Sequence, residues 1–303
     1  MRALRILLLI VCSNIILLAL PSIALAQESV NPGLNDDLRP VKVALTAEIG
    51  HSAARNTYLA PLLYNGTSLS VRYERWRTMR SGLWINQQII DADFASGDSE
   101  NGKLSSMYSG RGMYRYAMHR EFKNERIKEL KNETRTLNPE TPHGLSLLLG
   151  GFAGLDGGFD YNLKTAGGNN PAAARIVGNL GASAVANYGY RIKDKDCSVS
   201  LQVQMPLFGV AFMPEYGASY YETFLLDNTD NNVHFTSLHN QQDLDVRLTT
   251  DIPLSVIPCF KKLKTVIRVG GYYHIETMDI NHIVERYSTV GLCVGWTWRY
   301  LPL

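Results

Sequence analysis

The sequence predicts an all-β protein, an antiparallel transmembrane β-barrel of about ten strands (roughly 8–12). Three observations carry that expectation. Some ten segments of roughly ten residues alternate apolar with polar side chains, the period of an extended chain, and the polar sides carry charges. Aromatic residues gather where an apolar face ends, as they do at a membrane–water boundary. After the N-terminal segment, no run approaches the roughly 18 apolar residues of a membrane helix, so entry into a membrane needs strands. Backbone groups in lipid must all be paired, so such strands close on themselves, apolar side to lipid and charged side to the interior.

The chain opens with Arg2 and Arg5, an apolar run from Ile6 to Leu20, and Ala24-Leu25-Ala26. That is a secretory signal peptide with cutting expected before Gln27. The organisation expected is therefore signal peptide 1–26, periplasmic lead segment 27–40 and outer-membrane barrel 41–303. Removing 26 of the 303 residues leaves 277, and takes two of the 30 basic residues and no acid, so 28 basic residues face 28 acidic ones. A formally neutral chain offers no electrostatic case for nucleic acid. Cys197, Cys259 and Cys293 match no zinc spacing; a Cys197–Cys259 disulfide and three isolated small residues both stay open.

In chain order, Val41, Val43, Leu45, Ala47 and Ile49 alternate with Lys42, Ala44, Thr46, Glu48 and Gly50 in a first strand. A second sets Thr67, Leu69, Val71 and Tyr73 against Ser68, Ser70, Arg72 and Glu74. The third, near Leu83–Phe94, is irregular, because Trp84, Ile85, Ile89 and Ile90 hold no common phase. After a polar loop (Ser96–Lys103), the fourth sets Tyr108, Tyr114, Tyr116, Met118 and Phe122 against Arg111, Arg115 and His119. The fifth runs from Leu145 to Leu155 and the sixth from Ile176 to Arg191; the seventh sets Val199, Leu201, Val203 and Met205 against serines and glutamines. The eighth pairs Leu244, Val246, Leu248 and Ile252 with Asp243, Asp245, Arg247 and Thr249. The ninth shows Ile267, Val269, Tyr273 and Ile275 outward, against Arg268, Gly270, Tyr272, His274 and Glu276. In the last, Val290, Leu292, Val294, Trp296, Trp298 and Tyr300 form one unbroken apolar face. An even count puts both termini in the periplasm. Asp156–Asn170 and the aromatic-rich Pro206–Asn232 then become outer loops and Lys193–Asp196 an inner turn; Lys123–Glu140 is long for an inner connection.

Thr289, Gly291, Val294 and Trp296 resemble the C-terminal assembly signal of outer-membrane barrels, which implies the barrel-assembly machinery and outer-membrane lipid as partners. Leu301-Pro302-Leu303 departs from the usual aromatic end of that signal. The stretches YLAPLLYNG to YERW (58–76), RTLNP (135–139), GFDYN (158–162), PEYGASYYE (214–222) and SLHNQQ (237–242) resemble a family of predicted outer-membrane proteins. That family, of Gram-negative anaerobes, is known as a domain of unknown function. The resemblance implies a fold and an address, and no activity or functional residues.

The candidate interior residues are Arg72, Glu74, Arg111, Arg115, Asp243, Asp245, Arg247, Arg268, His274 and Glu276. In a narrow barrel the interior is largely filled by side chains, so these are expected to pair and fill it, in a structural, binding or narrow transport role. A lipid hydrolase is the alternative, with Ser237 as nucleophile and His239 as base. Without a bulge, both share the phase of Asp243 and Asp245 and face away from lipid. A soluble secreted β-sandwich is the third alternative. His234, His239, His274 and His282 lack a metal-ligand spacing, and no metal or cofactor is expected.

Overall fold

The computed structural model describes residues 41–79, 84–99, 105–123, 144–163, 171–214, 232–260, 263 and 265–300. The expected signal peptide and lead segment, Lys123–Glu140 beyond its first residue, residues 215–231 of the aromatic loop and Leu301–Leu303 lie outside the described residues. The strands are β1 (Val41–Asn56), β2 (Ala60–Thr78), β3 (Trp84–Ser99), β4 (Ser106–Lys123), β5 (Gly144–Asn162) and β6 (Ala172–Ile192). They continue as β7 (Lys195–Phe212), β8 (Val233–Ser237), β9 (Gln241–Pro253), β10 (Val266–Ile280) and β11 (Ile283–Tyr300).

Every strand pairs antiparallel with its neighbours, β1 with β11 and β6 with β7, so the sheet closes on itself. β8 and β9 are two halves of one stave, because both pair with β7. The result is a closed ten-stave barrel. The sandwich alternative is wrong, since a single sheet closes and no second sheet packs on it among the described residues. The closing seam runs without a break from Val41 opposite Tyr300 to Asn56 opposite Glu285.

Local chemistry sets the hairpins. Lys193 and Asp194, and Asn281 and His282, all take positive φ, the two-residue turn whose twist matches that of the flanking strands and which Asn and Asp tolerate. At the β1–β2 turn the Asn56 side chain accepts the Tyr58 backbone N–H at 3.1 Å. Gly50 faces Gly291 across the seam, and a Cβ on Gly50 would meet the Tyr272 hydroxyl at 2.6 Å, so the Tyr272 side chain lies over the space those glycines leave.

Burial follows the alternation. Ile49, Leu69, Ile90, Leu149, Leu201, Leu248, Val269, Val290, Leu292 and Val294 are exposed on the outside, while Glu48, Arg72, Arg115, Asp245 and Arg268 are buried. β3 is regular after all: Ile89 points inward and is fully buried, while Gln88 faces outward and accepts from Arg75. The expected loops are also shorter than their sequence suggested, because β5 continues to Asn162 and β7 to Phe212. Opposite the termini the bore is capped by two apolar clusters, Leu59, Tyr64, Met107 and Tyr287 in one, and Val177, Met213, Met278, Ile280 and Ile283 in the other.

Candidate functional site in the barrel interior

Charges inside the barrel pair in successive layers. Nearest the termini, Asp251 holds Lys42 at 2.7 Å and Arg268 at 2.7 Å, and Arg268 also reaches Glu74 at 2.8 Å. Arg72 lies within 2.7 Å of Glu74, 3.2 Å of Asp91 and 3.3 Å of Asp245. Arg247 pairs with Glu48, with Asp91 at 2.8 Å and with Asp245 at 3.1 Å. Because β9 and β3 stand opposite one another in the ring, the Arg247–Asp91 pair crosses the bore. The Arg247 guanidinium also lies 5.2 Å from the Tyr272 ring.

Further from the termini, Arg115 holds Asp243 at 2.7 Å and Asp156 at 3.6 Å, with the Phe152 ring beneath it at 4.7 Å. On the terminus side of the Arg247–Asp91 pair, Gln87 and Gln202 exchange hydrogen bonds of 3.2 and 3.0 Å, and His119 meets Ser183 at 2.8 Å. Beyond Arg115, Arg111 pairs with Asp160 at 3.0 Å and Glu285 at 2.8 Å, while Arg175 pairs with Glu276 and, at 2.9 Å, with Glu285. Tyr287 lies under Arg111 and donates to Asp93 at 3.0 Å. Taking such ions out of water is costly, and each layer offsets that cost by giving each arginine two or more acceptors.

The structure places Arg72, Glu74, Arg111, Arg115, Asp243, Asp245, Arg247, Arg268 and Glu276 within these layers. His274 stands at their edge, its Nδ1 3.7 Å from Asp243 and 4.0 Å from Asp245. Sequence reasoning omitted their partners Glu48, Asp91, Asp93, Asp156, Asp160, Arg175, Asp251 and Glu285. Period-two phase alone would have found Glu48 and Asp251, which sit on strands that were recognised.

A cavity of about 330 Å³ opens at the terminus-bearing end, lined by Lys42, Glu74, Trp76, Arg268 and Arg299 on one side and by Ser146, Asn187, Ser198, Ser200 and Gln202 on the other. It stops at Arg247 and Gln202. A second space of about 50 Å³ lies beyond, among Glu48, Asp93, Arg111, His274 and Tyr287. Among the described residues no cluster of His, Cys, Asp or Glu is arranged to hold a metal ion, and Cys197, Cys259 and Cys293 are free thiols.

Ser237 and His239 do not face the interior. Phe208 pairs with Ser237 but Gln204 pairs with Asp245, so the β8–β9 side is four residues longer over this span and turns at Leu238–Asn240. Four residues alone would keep the period-two phase; the bulge in β7, where Gly181 pairs with Pro206 but Leu180 with Phe208, shifts it by one, so Ser237 falls on the side of exposed Val233 and Phe235. Its Oγ lies 2.5 Å from His239 Nδ1, and its backbone N–H donates to Asn240 Oδ1 at 2.8 Å. An acyl-transfer site needs a third group to orient the imidazole. Among the described residues no carboxylate pairs with His239, and the contact closes a turn.

No curated protein matches this chain. Among solved structures it is similar to the outer membrane protease OmpT from Escherichia coli (7% identity, 90% of this chain and 99% of that one, TM-score 0.45). It is also similar to the transport unit of the autotransporter AIDA-I from Escherichia coli (8%, 93% and 97%, TM-score 0.42). A third is the translocator domain of the autotransporter NalP from Neisseria meningitidis (9%, 95% and 96%, TM-score 0.38). Residues 7–300 match the family described as protein of unknown function (DUF3316), and the chain belongs to that family.

Proposed function

We propose that this chain is an outer-membrane β-barrel that does not conduct, with a structural or binding role rather than that of an open pore. The Arg247–Asp91 pair carries this reading, since it joins opposite walls at 2.8 Å and sits between further ion-paired layers. The address is supported by the outward apolar residues of β11, from Val290 to Trp296, and by the charges on its opposite wall neighbours. On this reading both termini stand in the periplasm. The outward Val294 and Trp296, with Thr289 and Gly291 behind them, are then the residues through which the assembly machinery engages the last strand. Binding falls to the 330 Å³ vestibule, which is of small-molecule size and opens toward the periplasm.

The test is purified protein in a planar bilayer. No steady conductance above the lipid baseline is expected. Open channels of large unitary current would contradict the sealed bore.

A further inference from the structure

The vestibule at the terminus-bearing end has two unlike walls. Lys42, Arg268 and Arg299 line it from β1, β10 and β11, while Ser146, Asn187, Ser198, Ser200 and Gln202 line it from β5, β6 and β7 and carry no charge. The cations hold the inward phase of their strands: Arg299 shares the side of buried Thr297, opposite in phase to exposed Trp296, and Lys42 stands in register with Arg299. Like charges directly opposite on one face repel, and an anion between them relieves the repulsion. Asp251 reaches Lys42 at 2.7 Å and Arg268 at 2.7 Å, and Glu74 is shared by Arg268 at 2.8 Å and Arg72 at 2.7 Å. With Arg77 and Arg247 the lining counts five basic side chains, against two acidic ones, Glu74 and Glu121. A cleft dominated by one sign of charge between low-dielectric walls concentrates ions of the other sign.

Trp76, on β2, adds a fixed aromatic surface. Its Nε1 donates to Glu74 at 3.4 Å and its ring stacks on His119 with centroids 5.7 Å apart, so the indole is held from two sides where it lines the cavity. Glycines aside, the apolar lining among the described residues is Trp76, Ile85 and Leu148, too little to house an acyl chain. Opposite, Ser200 stands in register with Asn187 on one neighbour and Thr249 on the other, a row of hydroxyl and amide groups that both donate and accept. A ligand that suits all three surfaces has an acid group for Lys42 and Arg299, hydroxyls for the Ser200 row and a flat face for Trp76. A sugar ring carrying a carboxylate or a phosphate has these parts, and a cavity of about 330 Å³ is of the size that takes one small molecule.

We propose that the vestibule binds an anionic sugar, a single ring bearing a carboxylate or a phosphate, with the acid group at Lys42 and Arg299 and the ring against Trp76. This rests on the binding role given to the vestibule above. The test is saturation-transfer NMR on the purified barrel in detergent, with glucuronate, glucose 6-phosphate and glucose as probes and competition titrations for affinity. At least one of the two charged sugars is expected to bind tighter than glucose by about tenfold or more, the worth of one hydrogen bond to a charged group. Arg299→Gln is expected to weaken that binding by a similar factor. Ser200→Glu sets a carboxylate on the neutral wall without removing an ion pair and is expected to abolish it, with heat-modifiable gel migration reporting that each variant is folded. Equal affinity for glucose and the charged sugars overturns the role of the cations, and inorganic phosphate competing as well as the phosphorylated sugar overturns that of the ring. Binding that survives Ser200→Glu overturns the assignment to the vestibule. A planar-bilayer recording of the same preparation keeps the two readings apart. A silent bilayer with no sugar bound overturns the anionic-sugar site alone, whereas steady channels overturn the sealed barrel whatever the titrations give.

Discussion

Arginine in place of Leu292 is expected to destabilise the protein in a bilayer by about 2–4 kcal/mol, the penalty for that side chain near the membrane midplane. Leu292 is 70% exposed and stands midway along β11 between the outward Arg286 and Trp298. A guanidinium there must either leave water or drag water and headgroups into the hydrocarbon. In a water-soluble protein the same exposed position would tolerate the change within about 0.5 kcal/mol. Denaturant unfolding of Leu292→Arg and wild type in liposomes, followed by tryptophan emission, separates the two. A loss below the smaller figure would mean that this face does not meet lipid.

Removing Arg247 is the corresponding experiment on the inside. Arg247→Ala leaves Glu48, Asp91 and Asp245 buried, with Arg72 the one arginine still paired with two of them, His274 at 4.0 Å from Asp245, and no other ion pair for Glu48 among the described residues. An uncompensated buried charge costs about 3–5 kcal/mol. The temperature at which the barrel loses its compact, fast-migrating form on a denaturing gel is expected to fall sharply. Glu48→Gln in the Arg247→Ala background is expected to recover about 0.5–3 kcal/mol, the usual coupling of residues in one ion-pair network. Strictly additive effects of the two changes would show that the network carries no such coupling.

The outward face of the barrel was legible in the sequence because it follows an unbroken rule, the one that lipid imposes on the proposed reading. β1, β7, β10 and β11 alternate cleanly, since every second residue must be apolar there. The interior obeys a looser rule, and that is where reading failed. Ile89, Leu148 and Phe152 are inward and buried, so apolar residues fall on both sides of β3 and β5 and blur the phase. Asp156, Asp160 and Glu285 follow or precede glycine- and asparagine-rich stretches, and looked like loop residues although the strands continue through them. The Leu238–Asn240 turn could not be seen either, because a four-residue insertion in one stave leaves no compositional mark. The bulge in β7 between Pro206 and Phe208, equally silent in composition, reversed the side on which Ser237 lies. Which acids partner which arginines depends on strands brought across the bore, such as Asp91 and Arg247, 156 residues apart, and no local pattern encodes that pairing.

The most direct measurement takes the last strand residue by residue. With native cysteines replaced by serine, a nitroxide is placed in turn at each position from 289 to 296, and its collision rates with oxygen and with a water-soluble nickel chelate are recorded in liposomes. Positions 290, 292, 294 and 296 are expected to meet oxygen and exclude nickel, while 289, 291, 293 and 295 meet neither freely. Free access of nickel to the odd positions would reveal a water-filled bore, and nickel at the even ones would put the apolar face in water.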